Sequence, residues 1–150
     1  MNKQEQQGMT IIVKTVTRLT FGLILLYGAY IVLHGHVSPG GGFAGGVIIA
    51  LAFINLMLAF GRDVTLKKIS KGSTSFFESV GAILFFGIAL LGFIGGCFFL
   101  NILPKGAPFR LFSAGIIPFC NIAIMLKVGA GIFAIFLALV LLETEAKERK

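Results

Sequence analysis

His34-Gly35-His36-Val37-Ser38-Pro39-Gly40-Gly41-Gly42-Phe43-Ala44-Gly45-Gly46 breaks two long apolar runs apart and holds both histidines of the chain. Ser38 and Pro39 predict a helix start, because a serine hydroxyl can cap orphan N–H groups and proline's fixed φ suits the first helical position. Each glycine that follows weakens a helix by about 1 kcal/mol relative to alanine, so their clustering needs a compensating reason. Gly41 and Gly45 are one turn apart, as are Gly42 and Gly46, and Ala50 continues the row. In a bilayer, small residues along one helix face let another backbone approach closely. The stretch reads either as a tight turn leading into a packing helix or as a functional loop held at a membrane surface. In the second case its imidazoles can exchange protons near neutral pH.

The flanks decide between soluble and membrane classes. Of the 150 residues 57% are hydrophobic and 13% charged, where a soluble domain carries nearer a quarter charged. The charges gather at the N-terminus, between 62 and 78, around 105–110 and after 142. Between them lie apolar segments at 11–33, 42–60, 78–100 and 118–142, each near the ~20 residues that cross ~30 Å of hydrocarbon. The expected class is an all-α integral membrane protein, a single membrane domain over 1–150. Its four transmembrane helices are expected to pack by glycine and alanine faces. The first apolar run is long and ends in Leu33-His34-Gly35-His36, so a cleavable signal peptide is not expected.

Net charge +7 bears on orientation and anionic headgroups, not on nucleic acid. With the N-terminus inside, Lys3, Lys14, Arg18, Arg62, Lys67, Lys68, Lys71, Lys147, Arg149 and Lys150 fall on the inner side, and Lys105 and Arg110 on the outer. The positive-inside rule then predicts N-in and C-in. Lys14 and Arg18 can snorkel to the inner headgroups. Tyr27 and Tyr30 suit the outer interface. Residues 65–70 predict a short interfacial turn, and the apolar run 111–118 an interfacial or inward-dipping segment. Asn55 predicts a hydrogen bond to a neighbouring helix. Gly92 and Gly96 form a GxxxG pair. Cys97 and Cys120 supply neither metal spacing nor a disulfide framework.

Lys127 departs from the charge pattern. It follows Pro118 by nine residues, a rise of about 13 Å that places it near the bilayer centre, where a lysine costs ~2.5–3.5 kcal/mol on insertion scales. Ala123, Ala130, Gly131 and Ala134 surround it at helical spacing. It can neutralise a carboxylate on a partner, belong to a proton or ion path, or snorkel. Glu78 opens the expected third span, either as an interfacial residue favoured by the helix dipole or as an entry point for cations. His34, His36 and Asn121 complete the candidates for an ion or proton path. Pro39, Gly41, Gly42, Phe43, Gly45, Gly46, Gly92, Gly96 and Gly131 are the candidates for loop structure and helix packing. Phosphate-loop, HExxH and CxxC signatures are missing from the sequence, so no catalytic residue, metal ligand or cofactor is expected. A lone cation without a mid-membrane carboxylate points to one subunit of a larger complex. The alternatives are a small self-sufficient homo-oligomeric transporter or channel, and a purely structural assembly subunit.

Two blocks carry a family resemblance. Leu33-His34-Gly35-His36-Val37-Ser38-Pro39-Gly40-Gly41-Gly42-Phe43 resembles the signature of the B subunit of Mrp (Mnh) multisubunit Na+/H+ antiporters. Phe112-Ser113-Ala114-Gly115 with Pro118, continued by Asn121 to Gly131, resembles that family's last span. Met125 stands where the family pattern often has glycine, which bears on local packing. The resemblance implies a hetero-oligomer with subunits A, C, D, E, F and G in a bacterial or archaeal cell membrane. It also implies exchange of cytoplasmic Na+ for external H+ driven by the proton-motive force, with no resident cofactor.

Overall fold

The computed structural model describes residues 9–61, 71–106 and 113–148. It contains α1 (Ile11–Leu33), α2 (Gly41–Phe60), α3 (Lys71–Leu91), a 3-10 turn (Gly92–Gly95) and α4 (Ile117–Glu148). Four helices are long and apolar enough to cross a membrane, and the protein is a multi-pass, all-α membrane protein. The expected turn at 65–70, the first eight residues, Arg62, Arg110, Phe112, Arg149 and Lys150 lie outside the described residues, as do the side chains of Lys71 and Lys147.

The helices stand in the order α1, α2, α4, α3. α2 packs against both α1 and α4, while α3 packs against α4. Two glycine rows on α2 explain this order. A Cβ on Gly45 would collide with the Val32 side chain and come within 3.0 Å of the Gly28 carbonyl, both on α1. A Cβ on Gly42 would strike the Asn121 backbone, and one on Gly46 would lie 3.0 Å from the Met125 carbonyl of α4. The Gly42/Gly46 row therefore faces α4, whereas the other row divides, with Gly45 against α1 and Gly41 beside Asn121 of α4. Gly81 plays the same part on α3, where a Cβ would lie 2.7 Å from the Lys127 amide nitrogen and 2.8 Å from the Ala123 carbonyl. Lipid tails supply no hydrophobic drive between helices, so these backbone approaches carry the association through van der Waals contact.

Larger side chains pack where the backbones diverge. Phe21, Phe53 and Phe133 link α1, α2 and α4 by edge-to-face contacts, with centroids 5.4 and 6.1 Å apart. Met57, Phe133 and Leu137 form the buried cluster beneath them. On the outward face of α1, Thr15 and Thr20 donate to the Ile11 and Val16 carbonyls at 3.0 Å. Their hydroxyls are thus satisfied locally, as hydrocarbon requires. Arg18 lies over the Phe60 ring at 5.0 Å.

Several elements depart from the expectations. Ser38 does not cap α2: its hydroxyl donates to the His34 carbonyl at 3.1 Å, closing the end of α1. The N-cap of α2 is Gly40, with no side-chain cap, so Pro39 stands just outside the helix. α3 begins at Lys71 rather than at 78, and Thr74 in the added two turns is buried. It also ends sooner. Gly96 and Phe99 adopt positive φ of 96° and 62°, and the Phe99 amide donates to the Ala89 carbonyl at 3.1 Å. Residues 97–100 thereby fold back over Gly92, where a Cβ would strike the Leu100 backbone. Gly92 and Gly96 shape this helix stop instead of a helix–helix contact. Asn55 is exposed on α2 and does not lie between helices. Gly115 and Ile116 are buried, held by Asn101, which donates to the Ala114 carbonyl and accepts from the Ile116 amide, both at 3.2 Å.

Gly46→Leu should overpack the α2–α4 contact and destabilise the chain by about 1–3 kcal/mol, whereas Gly22→Ala, with nothing within 4 Å, should be neutral or stabilising by up to ~1 kcal/mol. Thermal unfolding of both variants in detergent measures the difference. Equal midpoints would remove the packing role of Gly46.

Candidate functional site: an ion pair between spanning helices

Lys127 lies ten residues along α4 from Ile117, a rise of about 15 Å. The α3 residue against its backbone, Gly81, lies ten residues from Lys71, again about 15 Å. Both positions lie inside candidate membrane spans, Gly72–Gly95 and Ile117–Leu142. One turn before Gly81 on α3 stands Glu78, and its Oε1 lies 4.0 Å from Lys127 Nζ. The cation that looked solitary therefore has a carboxylate in its own chain. Glu78 looked like a residue at the mouth of the third span because α3 was expected to start there. The two added turns place it inside the candidate span Gly72–Gly95.

The pair is not enclosed. The side chains are 54% exposed for Lys127 and 44% for Glu78, so both open outward from the α3–α4 edge. A separation of 4.0 Å exceeds hydrogen-bond length. Next to Lys127, α2, α3 and α4 line a partly open, apolar cavity of about 340 Å³, with residues that include Phe53, Thr74, Phe77, Met125 and Phe133. The Met125 side chain thus faces this cavity while its carbonyl faces Gly46.

The second set of candidates clusters at the other end of the bundle. His34 ends α1, stacks on Tyr30 with centroids 4.2 Å apart, and brings Nδ1 within 3.1 Å of the Tyr30 carbonyl. A carbonyl can only accept, so Nδ1 carries the proton and Nε2 is the free ring nitrogen. His36 is partly buried in the turn that follows. Gly40 and Gly41 have φ of 129° and 58°, a conformation that glycine adopts without penalty. Asn121 sits beneath this turn, 8% exposed. A Cβ on Gly41 would lie 3.2 Å from its Oδ1 and one on Gly35 2.7 Å from its Nδ2, and Nδ2 has no hydrogen-bond partner. Phe43 is 63% exposed and Gly131 has nothing within 4 Å, so neither packs within the chain. Lys127 follows Asn121 by six residues, about 9 Å of rise, so the histidine turn and the ion pair are separate centres along α4. Among the described residues there is no group of three or more potential metal ligands.

Residues 12–134 match the family described as "Domain related to MnhB subunit of Na+/H+ antiporter". The chain belongs to the MnhB family. An uncharacterised protein of Methanocaldococcus jannaschii is 43% identical over 122 residues, covering 73% of this chain and 44% of that protein. A Staphylococcus aureus (strain Newman) protein provisionally assigned as antiporter subunit mnhB2 is 41% identical over 59 residues, covering 39% of this chain and 42% of that protein. This MnhB chain therefore spans less than half the length of these curated relatives. In a solved structure of the membrane-bound sulfane sulfur reductase (MBS), an archaeal respiratory membrane complex, one chain is 30% identical with a TM-score of 0.71. The similarity covers 91% of this chain and 62% of that one.

Removing only the ammonium, as in Lys127→Met, leaves Glu78 unpaired at membrane depth, a loss of about 3–5 kcal/mol where the site is covered. Lys127→Met combined with Glu78→Leu should regain most of that loss. A double-mutant cycle on thermal stability measures the coupling, and additive effects would show that the two side chains do not act as a pair.

Proposed function

We propose that this chain is a non-enzymatic membrane subunit of a Mrp/Mnh-type multisubunit antiporter that exchanges cytoplasmic Na+ for external H+ under the proton-motive force. In this reading both termini are cytoplasmic, and the chain works beside other subunits of the A to G set in a bacterial or archaeal cell membrane. Family membership and the likeness to a chain of a respiratory membrane complex support the assignment to a multisubunit assembly. The observation that supports a transport role for this particular chain is the Glu78–Lys127 pair, each member inside a candidate membrane span. Ionisable groups at that depth are expensive and mark ion or proton paths in membrane proteins.

The chemistry available to the pair is a proton shift. Transfer of one proton from the Lys127 ammonium to the Glu78 carboxylate turns an ion pair into a neutral amine and acid. A charge arriving on the open side biases that balance. Gly81 and Ala123 hold α3 and α4 at a fixed distance, so proton movement needs side-chain rotation only. His34 and His36, at the opposite end of α4's first two turns, can receive or deliver protons at the surface.

Lys127→Arg separates proton transfer from simple charge balance, because guanidinium does not release its proton in proteins. The expected result in proteoliposomes of the purified complex is normal assembly with Na+-dependent H+ exchange slowed at least roughly tenfold. An assembled Lys127→Arg complex exchanging at the parent rate would leave a structural ion pair as the role. Flux from this chain alone would instead make it a self-sufficient transporter. Orientation has its own check. Cys97 is exposed and Cys120 buried, so an impermeant maleimide should label Cys97 from outside intact cells, and labelling only after lysis would reverse the assigned orientation.

A further inference from the structure

Asn121 holds a buried amide nitrogen without a hydrogen-bond partner, and it sits where two helix N-termini meet. Contacts run in step between α2 and α4: Gly42 rests on Asn121, and Gly46 on Met125 and Gly129. The two helices are therefore parallel, and their N-terminal ends stand side by side at the histidine turn. Each end carries a partial positive charge from its aligned peptide dipoles. Neither has an acidic residue in its first turn, and the sequence holds no Asp or Glu from 6 to 62 or from 79 to 142. α2 also has no side-chain cap. The Ala44 amide donates to the Gly40 carbonyl at 3.3 Å, so the amides of Gly41, Gly42 and Phe43 precede the hydrogen-bonded turns.

The side chain of Asn121 is an independent sign of a ligand. The residue is 8% exposed, and Nδ2 lies against the start of α2. A Cβ built on Gly35 would be 2.7 Å from Nδ2 and 3.2 Å from the Gly41 amide nitrogen. A buried donor without an acceptor is destabilising, and a bound water or ion is one way to satisfy it.

We propose that the paired N-termini of α2 and α4 bind a small inorganic anion of chloride's kind, which accepts from Asn121 Nδ2 and from first-turn N–H groups of α2. Donors facing two positive helix ends call for a ligand that accepts and carries negative charge. Water would satisfy the amide and leave both helix ends uncompensated. The glycines at 35, 41 and 42 bring the turn close to Asn121, and that narrow space favours a monatomic ion over phosphate. The site stands at the start of two candidate spans, so the ion reaches it from the membrane surface. Anion binding here is independent of the antiport reading, since it uses neither Glu78 nor Lys127.

The test measures thermal unfolding of the full chain in detergent, in sodium chloride, sodium bromide and sodium gluconate at equal ionic strength. Chloride and bromide should raise the melting temperature saturably, by ~5 °C at an excess of about a hundredfold over Kd, and gluconate should not. Asn121→Asp is near-isosteric and brings its own negative charge to the same place. It should melt no lower than the parent in gluconate, and added chloride should then change nothing. A chloride response that survives in Asn121→Asp would overturn the site, because the ion then binds elsewhere. Anomalous diffraction at the bromine edge, from crystals of the unsubstituted chain grown in bromide, locates the ion without any variant. The expected peak lies beside Asn121 Nδ2 and the start of α2. A peak only at surface lysines and arginines, or none, would overturn the proposal even if Asn121→Asp failed to fold. Equal melting temperatures in all three salts would do the same and leave water as the occupant.

Discussion

Backbone contact between α2 and α4 governs the arrangement of this molecule. In lipid the hydrophobic effect does not distinguish one helix neighbour from another, so the pairing follows where main chains can touch. Gly42 and Gly46 let α2 rest directly on the Asn121 to Gly129 stretch of α4, and Gly45 lets the same helix receive α1 through Val32 and Gly28. The aromatic contacts of Phe21, Phe53 and Phe133 fill the space that these approaches define. The helix-weakening effect of the glycine cluster is offset by two interfaces built from one helix.

The same logic places the charged pair. Gly81 brings α3 onto the backbone of Lys127, and one helical turn then sets Glu78 beside its ammonium. Because α3 lies on the outer flank of α4, the pair opens sideways from the array instead of into a four-helix core. A self-contained channel would enclose such groups among its own helices. Here both side chains of the pair are about half exposed.

The histidine turn is a second polar centre with a different construction. It is rigid through local bonds: Ser38 and His34 close the end of α1, and two positive-φ glycines turn the chain into α2. Asn121 supports it from below with a buried amide nitrogen that has no hydrogen-bond partner. Buried donors without acceptors cost about 1–3 kcal/mol, a cost that a small hydrogen-bonding ligand such as water removes.

Much of this was legible in the residues themselves. Four apolar runs of spanning length, the small-residue rows on α2 and the isolated Lys127 define a helical membrane subunit with an ionisable centre, because span length and the cost of a buried charge are local properties. The family-specific blocks around His34–Phe43 and Asn121–Gly131 fall on the turn and on the first turns of α4. The partner of Lys127 was not legible. It depends on α3 starting at Lys71 instead of at Glu78, with Thr74 buried in the added turns. The fold-back at Cys97–Leu100 was equally hidden, since an apolar run gives no sign of where a left-handed Phe99 reverses it. Sequence by itself determined which segments enter the membrane and which residues are costly there. Only the tertiary structure decided which residues meet, because helix order and register are set by contacts between segments far apart in the chain.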